Sequence, residues 1–86
     1  MKHEHLLKVT SFMIAKFEDD SRWFHENISF LREKNLTGKF IAIKNRNVIA
    51  SDKDINVVIS LVEKQGENPA YVLIEFIYPE GTIILL

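Results

Sequence analysis

The chain has 86 residues, of which 47% are hydrophobic and 27% are charged, and its formal net charge is −1. This length and balance predict one folded domain over residues 1–86 and exclude a separate catalytic lobe or a disordered chain. Because there is no cysteine, neither disulfides nor a cysteine-based zinc site stabilises the small core, so self-association is expected to add stability.

An amphipathic helix over residues 3–17 is the first predicted element, because apolar residues recur at helical spacing. The apolar positions are Leu6, Val9, Met13 and Phe17. Residues 1–20 are therefore interpreted as an N-terminal helical extension, and residues 21–86 as the core. Lys8 and Lys16 interrupt the apolar positions, and no small-residue cleavage site follows them. We therefore expect no membrane span and a cytoplasmic location.

A second helix is predicted over residues 21–35. Asp19, Asp20 and Ser21 offer side-chain acceptors for the free N–H groups of a helix start, and negative charge is favourable there. Asn35 and Gly38 favour the end of this helix, because both residue types adopt the left-handed conformation that follows many helices.

A β-hairpin followed by a helix is predicted next. Strands at 39–44 and 48–50 are joined across "NRN", where Asn45 or Asn47 can reverse the chain without glycine. Ser51 or Asp52 is expected to cap the following helix, with Asp54 three residues after Ser51. Its expected buried face consists of Ile55, Val58, Ile59 and Val62, and its expected end is Gly66.

Two further strands are predicted at 71–77 and 82–86. Their connection, "YPEGT", suits a type I turn with Pro79 at the first central position and Gly81 in the left-handed conformation. The fold class is therefore α+β, with two N-terminal helices, then β-β-α-β-β, and a four-stranded mixed sheet packed on helices. The second and third strands are parallel if they are adjacent, because a helix connects them.

Several short motifs carry a family resemblance. They are Trp23–Phe24 at the start of a helix, "GKFIAI" at 38–43, "VIA" at 48–50, and a helix entered through Asp52 or Asp54. From Trp23 onward the chain resembles a small prokaryotic, largely archaeal family of uncharacterised domains. Arg46 departs from this pattern, since many such domains have glycine or another turn former there. The resemblance supports the fold and implies no activity.

Candidate metal and catalytic groups are few. Asp52, Asp54, Asn56 and Glu63 occupy ligand positions of a calcium-binding loop, but Val57 replaces its required glycine, so helix capping is the preferred interpretation. His3, Glu4 and His5 lie at the terminus, where a solvated segment is expected. His25 has no partner in a recognised catalytic spacing. We therefore predict no metal, no cofactor and no catalytic activity.

Two surfaces are candidates for binding. Residues 32–53 contain six basic and two acidic residues, whereas residues 54–86 contain one basic and five acidic residues. The possible nucleic-acid contacts are Lys39, Lys44, Arg46 and Lys53. The second surface is apolar, because residues 83–86 place large apolar groups on both faces of a strand. The expected oligomer interface comprises Leu6, Val9, Met13, Phe17, Ile83 and Leu85.

These features predict a cytoplasmic protein-interaction or regulatory module that self-associates, most simply as a homodimer, and that can bind another protein. The alternative is a nucleic-acid-associated regulator that uses the basic hairpin.

Overall fold

The computed structural model describes residues 2–82, with side chains described from Ile14 to Thr82. The helices are α1 (Lys2–Glu26), α2 (Ile28–Glu33) and α3 (Ile55–Lys64), and the strands are β1 (Phe40–Lys44), β2 (Asn47–Asp52) and β3 (Leu73–Phe76). A short 3₁₀-helix at Pro69–Tyr71 precedes β3. None of the helices within residues 2–82 is both long enough and apolar enough to cross a membrane. The predicted α+β class is confirmed.

The predicted four-stranded mixed sheet is not found. Residues 2–82 form a three-stranded sheet in the order β2-β1-β3, and both neighbours of β1 run antiparallel to it. The connection through α3 does return β3 in the direction of β2, but β1 lies between these two strands. Of the strand predicted at 82–86, residues 83–86 lie outside the described part of the chain.

The N-terminal helices differ from the prediction. One helix, α1, runs through Asp19 and Asp20 without a break, so these residues do not begin a second helix. The break comes at Asn27 (φ −111°), whose side-chain amide donates to the Trp23 carbonyl oxygen at 2.8 Å. Both aspartates instead bind the hairpin turn, as described below, and α1 continues past the predicted boundary at residue 20.

The predicted end of the second helix is confirmed at Asn35. This residue has φ 64°, its N–H donates to the Arg32 carbonyl, and the next N–H, of Leu36, donates to the Leu31 carbonyl. The same pair of bonds ends α3, where Gly66 has φ 81°. This arrangement satisfies carbonyl groups that a helix end leaves free, and it turns the chain sharply towards the next element.

The central strand β1 is covered on both faces. Ile41, Ala42 and Ile43 are all fully buried, which explains why the sequence of this strand is apolar without alternation. On one face, α1 and α2 contribute to a cluster of Phe24, Leu31, Ile41, Ile43 and Ile77. On the other face, α3 contributes to a cluster of Ala42, Ala50, Val58, Val62 and Val72. The sheet is therefore the middle of three layers.

A β-bulge in β2 changes which residues of this strand point to each face of the sheet. Ala42 pairs with Ala50, but the next residue, Ile43, pairs with Val48, so Ile49 is left without a partner on β1. The extra residue lets Ile49 pack beside Ala50 in the cluster under α3, while Val48 packs in the opposite cluster.

Helix α3 begins later than predicted. Its N-cap is Asp54, whose carboxylate accepts from the Asn56 N–H at 2.8 Å, whereas Ser51 and Asp52 belong to β2. The prediction of a buried face is confirmed for Val58 and Val62, which are fully buried. It is wrong for Ile55, which is 38% exposed because it lies in the first turn, and Ile59 is half-buried.

The turn after β3 uses the expected glycine. Gly81 has φ 85°, in the left-handed region. The Thr82 N–H donates to the Pro79 carbonyl at 3.1 Å, so Pro79 is the first residue of the turn, not its first central residue.

Candidate functional site

The turn of the β1–β2 hairpin has two consecutive residues in the left-handed conformation. Lys44 pairs with Asn47 across it, and the central residues Asn45 and Arg46 have φ 51° and φ 60°. This is the backbone of a two-residue type I′ turn, which matches the twist of the strands. The expected reversal at Asn45 is confirmed. Arg46 is unusual in this position, because a residue with a Cβ atom is disfavoured at positive φ.

Contacts with α1 offset the unfavourable backbone conformation of Arg46. Its guanidinium binds the Asp19 carboxylate through Nε–Oδ2 at 3.0 Å and Nη2–Oδ1 at 2.7 Å. Its backbone N–H donates to Asp20 Oδ1 at 2.8 Å. One turn of helix earlier, Lys16 Nζ donates to Asn45 Oδ1 at 3.1 Å. These five residues are called the helix–turn junction below.

Asp20 is the buried member of the junction. The residue is 5% exposed, and no other polar residue between Ile14 and Thr82 is buried to a similar degree. A buried carboxylate is costly unless it is hydrogen-bonded, and here the N–H of Arg46 supplies a bond. The junction thus combines a buried hydrogen bond, at Asp20, with charged side chains that are accessible to solvent.

The two charged side chains at the surface of the junction stabilise each other. The hydrogen bond from Arg46 lowers the pKa of Asp19, and slight burial opposes that effect. The positive charges of Arg46, Arg22 and Lys16 lower it further. In return, the hydrogen bond to Asp19 raises the pKa of Arg46. Both groups are therefore held in their charged forms at neutral pH.

Two grooves lie beside the junction. One, of about 240 Å³, is lined by Asp19, Arg22, Trp23, Glu26 and Arg46. The other is shallower, about 410 Å³, and is lined by Lys16, Asp19, Asn45 and Arg46. Both are polar and contain charges of both signs, so they can orient a charged group but offer no nucleophile beside a base. Over the range whose side chains are described, no three acidic or histidine side chains are placed to hold a metal ion.

The four predicted nucleic-acid contacts do not form one patch. Lys44 forms an ion pair with Glu67, and Arg46 forms one with Asp19, both near the turn. Lys39 and Lys53 flank the opposite end of the hairpin, where Phe40 pairs with Asp52. Phosphate groups would have to compete with two carboxylates at the turn. Nucleic-acid binding stays a prediction.

Most of the predicted oligomer interface lies outside the described side chains. Leu6, Val9 and Met13 fall within α1, but only its side chains from Ile14 onward are described. Phe17 is half-buried. Ile83 and Leu85 lie beyond the described residues, so this interface also stays a prediction.

The remaining candidate groups have local roles. Asp52 accepts from the Asp54 N–H at 2.8 Å, and Asp54 caps α3, which confirms the capping interpretation of this segment. His25 is exposed and contacts the edge of the neighbouring Phe24 ring, with 5.3 Å between ring centroids. The side chains of His3, Glu4 and His5 are outside the described range.

Sequence reasoning missed the junction because its partners are far apart in the chain. Asp19 and Asp20 carry the local signal of a helix start, and nothing nearby contradicts it. The available clue was Arg46, a residue poorly suited to a position of positive φ and therefore in need of a compensating contact.

Comparison with known families confirms that the chain contains an uncharacterised domain, without testing the motifs noted in the sequence. A family model described as a family of unknown function (DUF5678) matches residues 33–80. The matched part contains Arg46, whereas Asp19 and Asp20 precede it. Neither the curated proteins nor the solved structures provide a match to the chain. The archaeal distribution suggested by the motifs stays a prediction.

Proposed function

The chain belongs to the DUF5678 family, a family of unknown function. We propose that it is a protein-interaction module that self-associates through α1. The proposal assigns no catalytic step and no cofactor to the chain. The proposal retains the predicted role of the apolar positions in the N-terminal helix as an oligomer interface.

The observation that carries this proposal is the length of α1 relative to the sheet. A helix of 25 residues measures about 37 Å, whereas the five residues of β1 span about 17 Å. The radius of gyration is 14.5 Å, and a compact domain of this length has about 12 Å. These dimensions support a placement in which the N-terminal part of α1 extends beyond the sheet and is available to a partner.

The apolar series of α1 supports the same proposal. Phe24 is buried against the sheet and Phe17 is half-buried. Intervals of three and four residues continue this series through Met13, Val9 and Leu6, which is the spacing of a single helix face. An apolar helix face of this kind fits the face of another helix. A second copy of the chain supplies one.

The alternative of nucleic-acid binding has less support from the geometry. Two of its four basic residues are already paired with carboxylates, and the remaining two lie at the other end of the hairpin. Affinity for phosphates rises with the number of basic groups that contact them, so a divided set binds weakly.

Sedimentation equilibrium over a concentration series tests the proposal. We expect a reversible dimer. Met13→Glu should raise the dissociation constant of this dimer at least about tenfold, because burying a carboxylate in the interface is costly. Ala15→Glu is the matched control, since it adds the same charge to an exposed position of the same helix. A chain that stays monomeric at all concentrations would refute the proposal, as would equal effects of the two variants.

A further inference from the structure

The described polar contacts between α1 and the hairpin lie close together. Four hydrogen bonds are described there between residues 14–82, and all four end on Asn45 or Arg46. On the helix they involve only Lys16, Asp19 and Asp20, which occupy little more than one turn. The two central residues of a single β-turn therefore help to fix the direction of a long helix.

The apolar attachment lies nearer the end of α1. Phe24 is buried in the cluster under α1, and Trp23 packs against that cluster. Asp19 and Phe24 are separated by about 7 Å along the helix axis, and the chain leaves the helix at Asn27 soon afterwards. α1 is therefore attached to the sheet at two points. One is the apolar contact at Phe24, next to the helix break at Asn27, about which the helix could rotate, and the other is the helix–turn junction.

We propose that the helix–turn junction is an ionic latch. When it is closed, it fixes the direction of α1; when it is open, α1 pivots at Phe24 and Asn27 while the sheet and α3 remain folded. Among the residues with described side chains, 14–82, none from α1 belongs to the cluster under α3, so this cluster does not depend on the described contacts of the latch. The latch is independent of whether two copies of the chain associate.

Exposure makes the junction the weaker attachment. The side chains of Arg46 and Asp19 are 62% and 37% exposed, so dissolved salt screens their attraction. Lys16 and Arg22 place positive charge near Asp19, and Glu26 and Asp20 place negative charge near Arg46.

Distance measurements between two spin labels test the latch. The chain contains no cysteine, so Lys8→Cys and Lys53→Cys introduce one label on α1 and one beside the sheet. A pivot of about 20° at Phe24 moves position 8 by roughly 8 Å. Dilution of the labelled chain with unlabelled chain keeps the measured distance within one molecule.

We expect a narrow distance distribution at about 0.05 M salt and a broader, shifted one at about 1 M. Asp19→Asn should show the broad distribution already at low salt. The matched control is Glu67→Gln, which removes the other described ion pair, with Lys44, on the opposite side of the hairpin. This control should retain the narrow distribution.

Trp23 provides a second readout, because it is the only tryptophan and it lines a groove with Asp19 and Arg46. Its emission should shift to longer wavelength when the latch opens. The salt titration uses the intact junction, so it remains decisive even if Asp19→Asn does not fold. A distribution that salt leaves unchanged would overturn the proposal, and so would the same broadening in Glu67→Gln as in Asp19→Asn.

Discussion

Asp19 and Arg46 are 27 residues apart in the chain and meet through two parallel hydrogen bonds, from Nε to Oδ2 and from Nη2 to Oδ1. This fork is specific to a guanidinium, because lysine presents a single charged group. The contact therefore ties a helix outside the matched family region to a turn inside it.

Replacement of Asp20 is expected to destabilise the fold. Asp20→Ala removes the acceptor of the Arg46 N–H and should lower the free energy of unfolding by about 1–3 kcal/mol. Asp20→Asn keeps an acceptor oxygen and should cost less. Urea unfolding followed by circular dichroism measures both changes. Equal losses in the two variants would show that the hydrogen bond is not the cause.

Acid should weaken the junction through Asp19. Because Arg46 lowers the pKa of Asp19 below its usual 3.8 in the folded chain, this carboxylate stabilises the fold at pH values above its unfolded pKa. The contribution is lost as the pH falls through the lower, folded pKa. The free energies of unfolding of the native chain and Asp19→Asn should therefore differ at pH 7 and converge in acid. A difference that is constant over this pH range would contradict the assignment.

Two substitutions at Asn45 should separate the effect of backbone strain from the effect of losing its side-chain contact. Asn45→Ala and Asn45→Gly both remove the acceptor of Lys16, but only glycine adopts φ 51° without strain. We expect the alanine variant to be less stable than the glycine variant by about 1 kcal/mol. Thermal unfolding of the pair measures the difference. Equal stabilities would indicate that the turn changes its type in the alanine variant.

Two neighbouring valines on α3 test the layer on the other face of the sheet. Val58 is fully buried and Val57 is 40% exposed. Val58→Ala should cost roughly 2–3 kcal/mol, because it removes buried methyl groups and leaves a cavity. Val57→Ala should change stability by less than about 0.5 kcal/mol. Both variants have the same helix propensity, so unfolding measurements compare burial alone.

Local signals in the sequence predicted several elements of the fold. The apolar run of β1, the left-handed residue at Asn35 and the end of α3 at Gly66 all depend on neighbouring residues, and each was identified correctly. The start of α3 was misplaced because Ser51, Asp52 and Asp54 can all cap a helix. The choice of Asp54 follows from the extent of β2, which pairing with β1 determines.

Long-range relationships could not be predicted in the same way. The position of β1 between β2 and β3 depends on packing of the helices on both faces, and the apolar pattern is compatible with other strand orders. Asp19 and Asp20 have the composition of a helix start, so the uninterrupted α1 becomes intelligible only when Arg46 is adjacent in space.

The placement of Arg46 predicts correlated substitutions among homologous chains. An arginine in this turn is unfavourable for the backbone and is compensated by the two aspartates of α1, so neither side of the contact is well suited without the other. Substitutions at these positions should therefore be inherited together. In homologous chains, an acidic pair at the positions of Asp19 and Asp20 should accompany arginine in the turn, and glycine in the turn should accompany other residues on the helix.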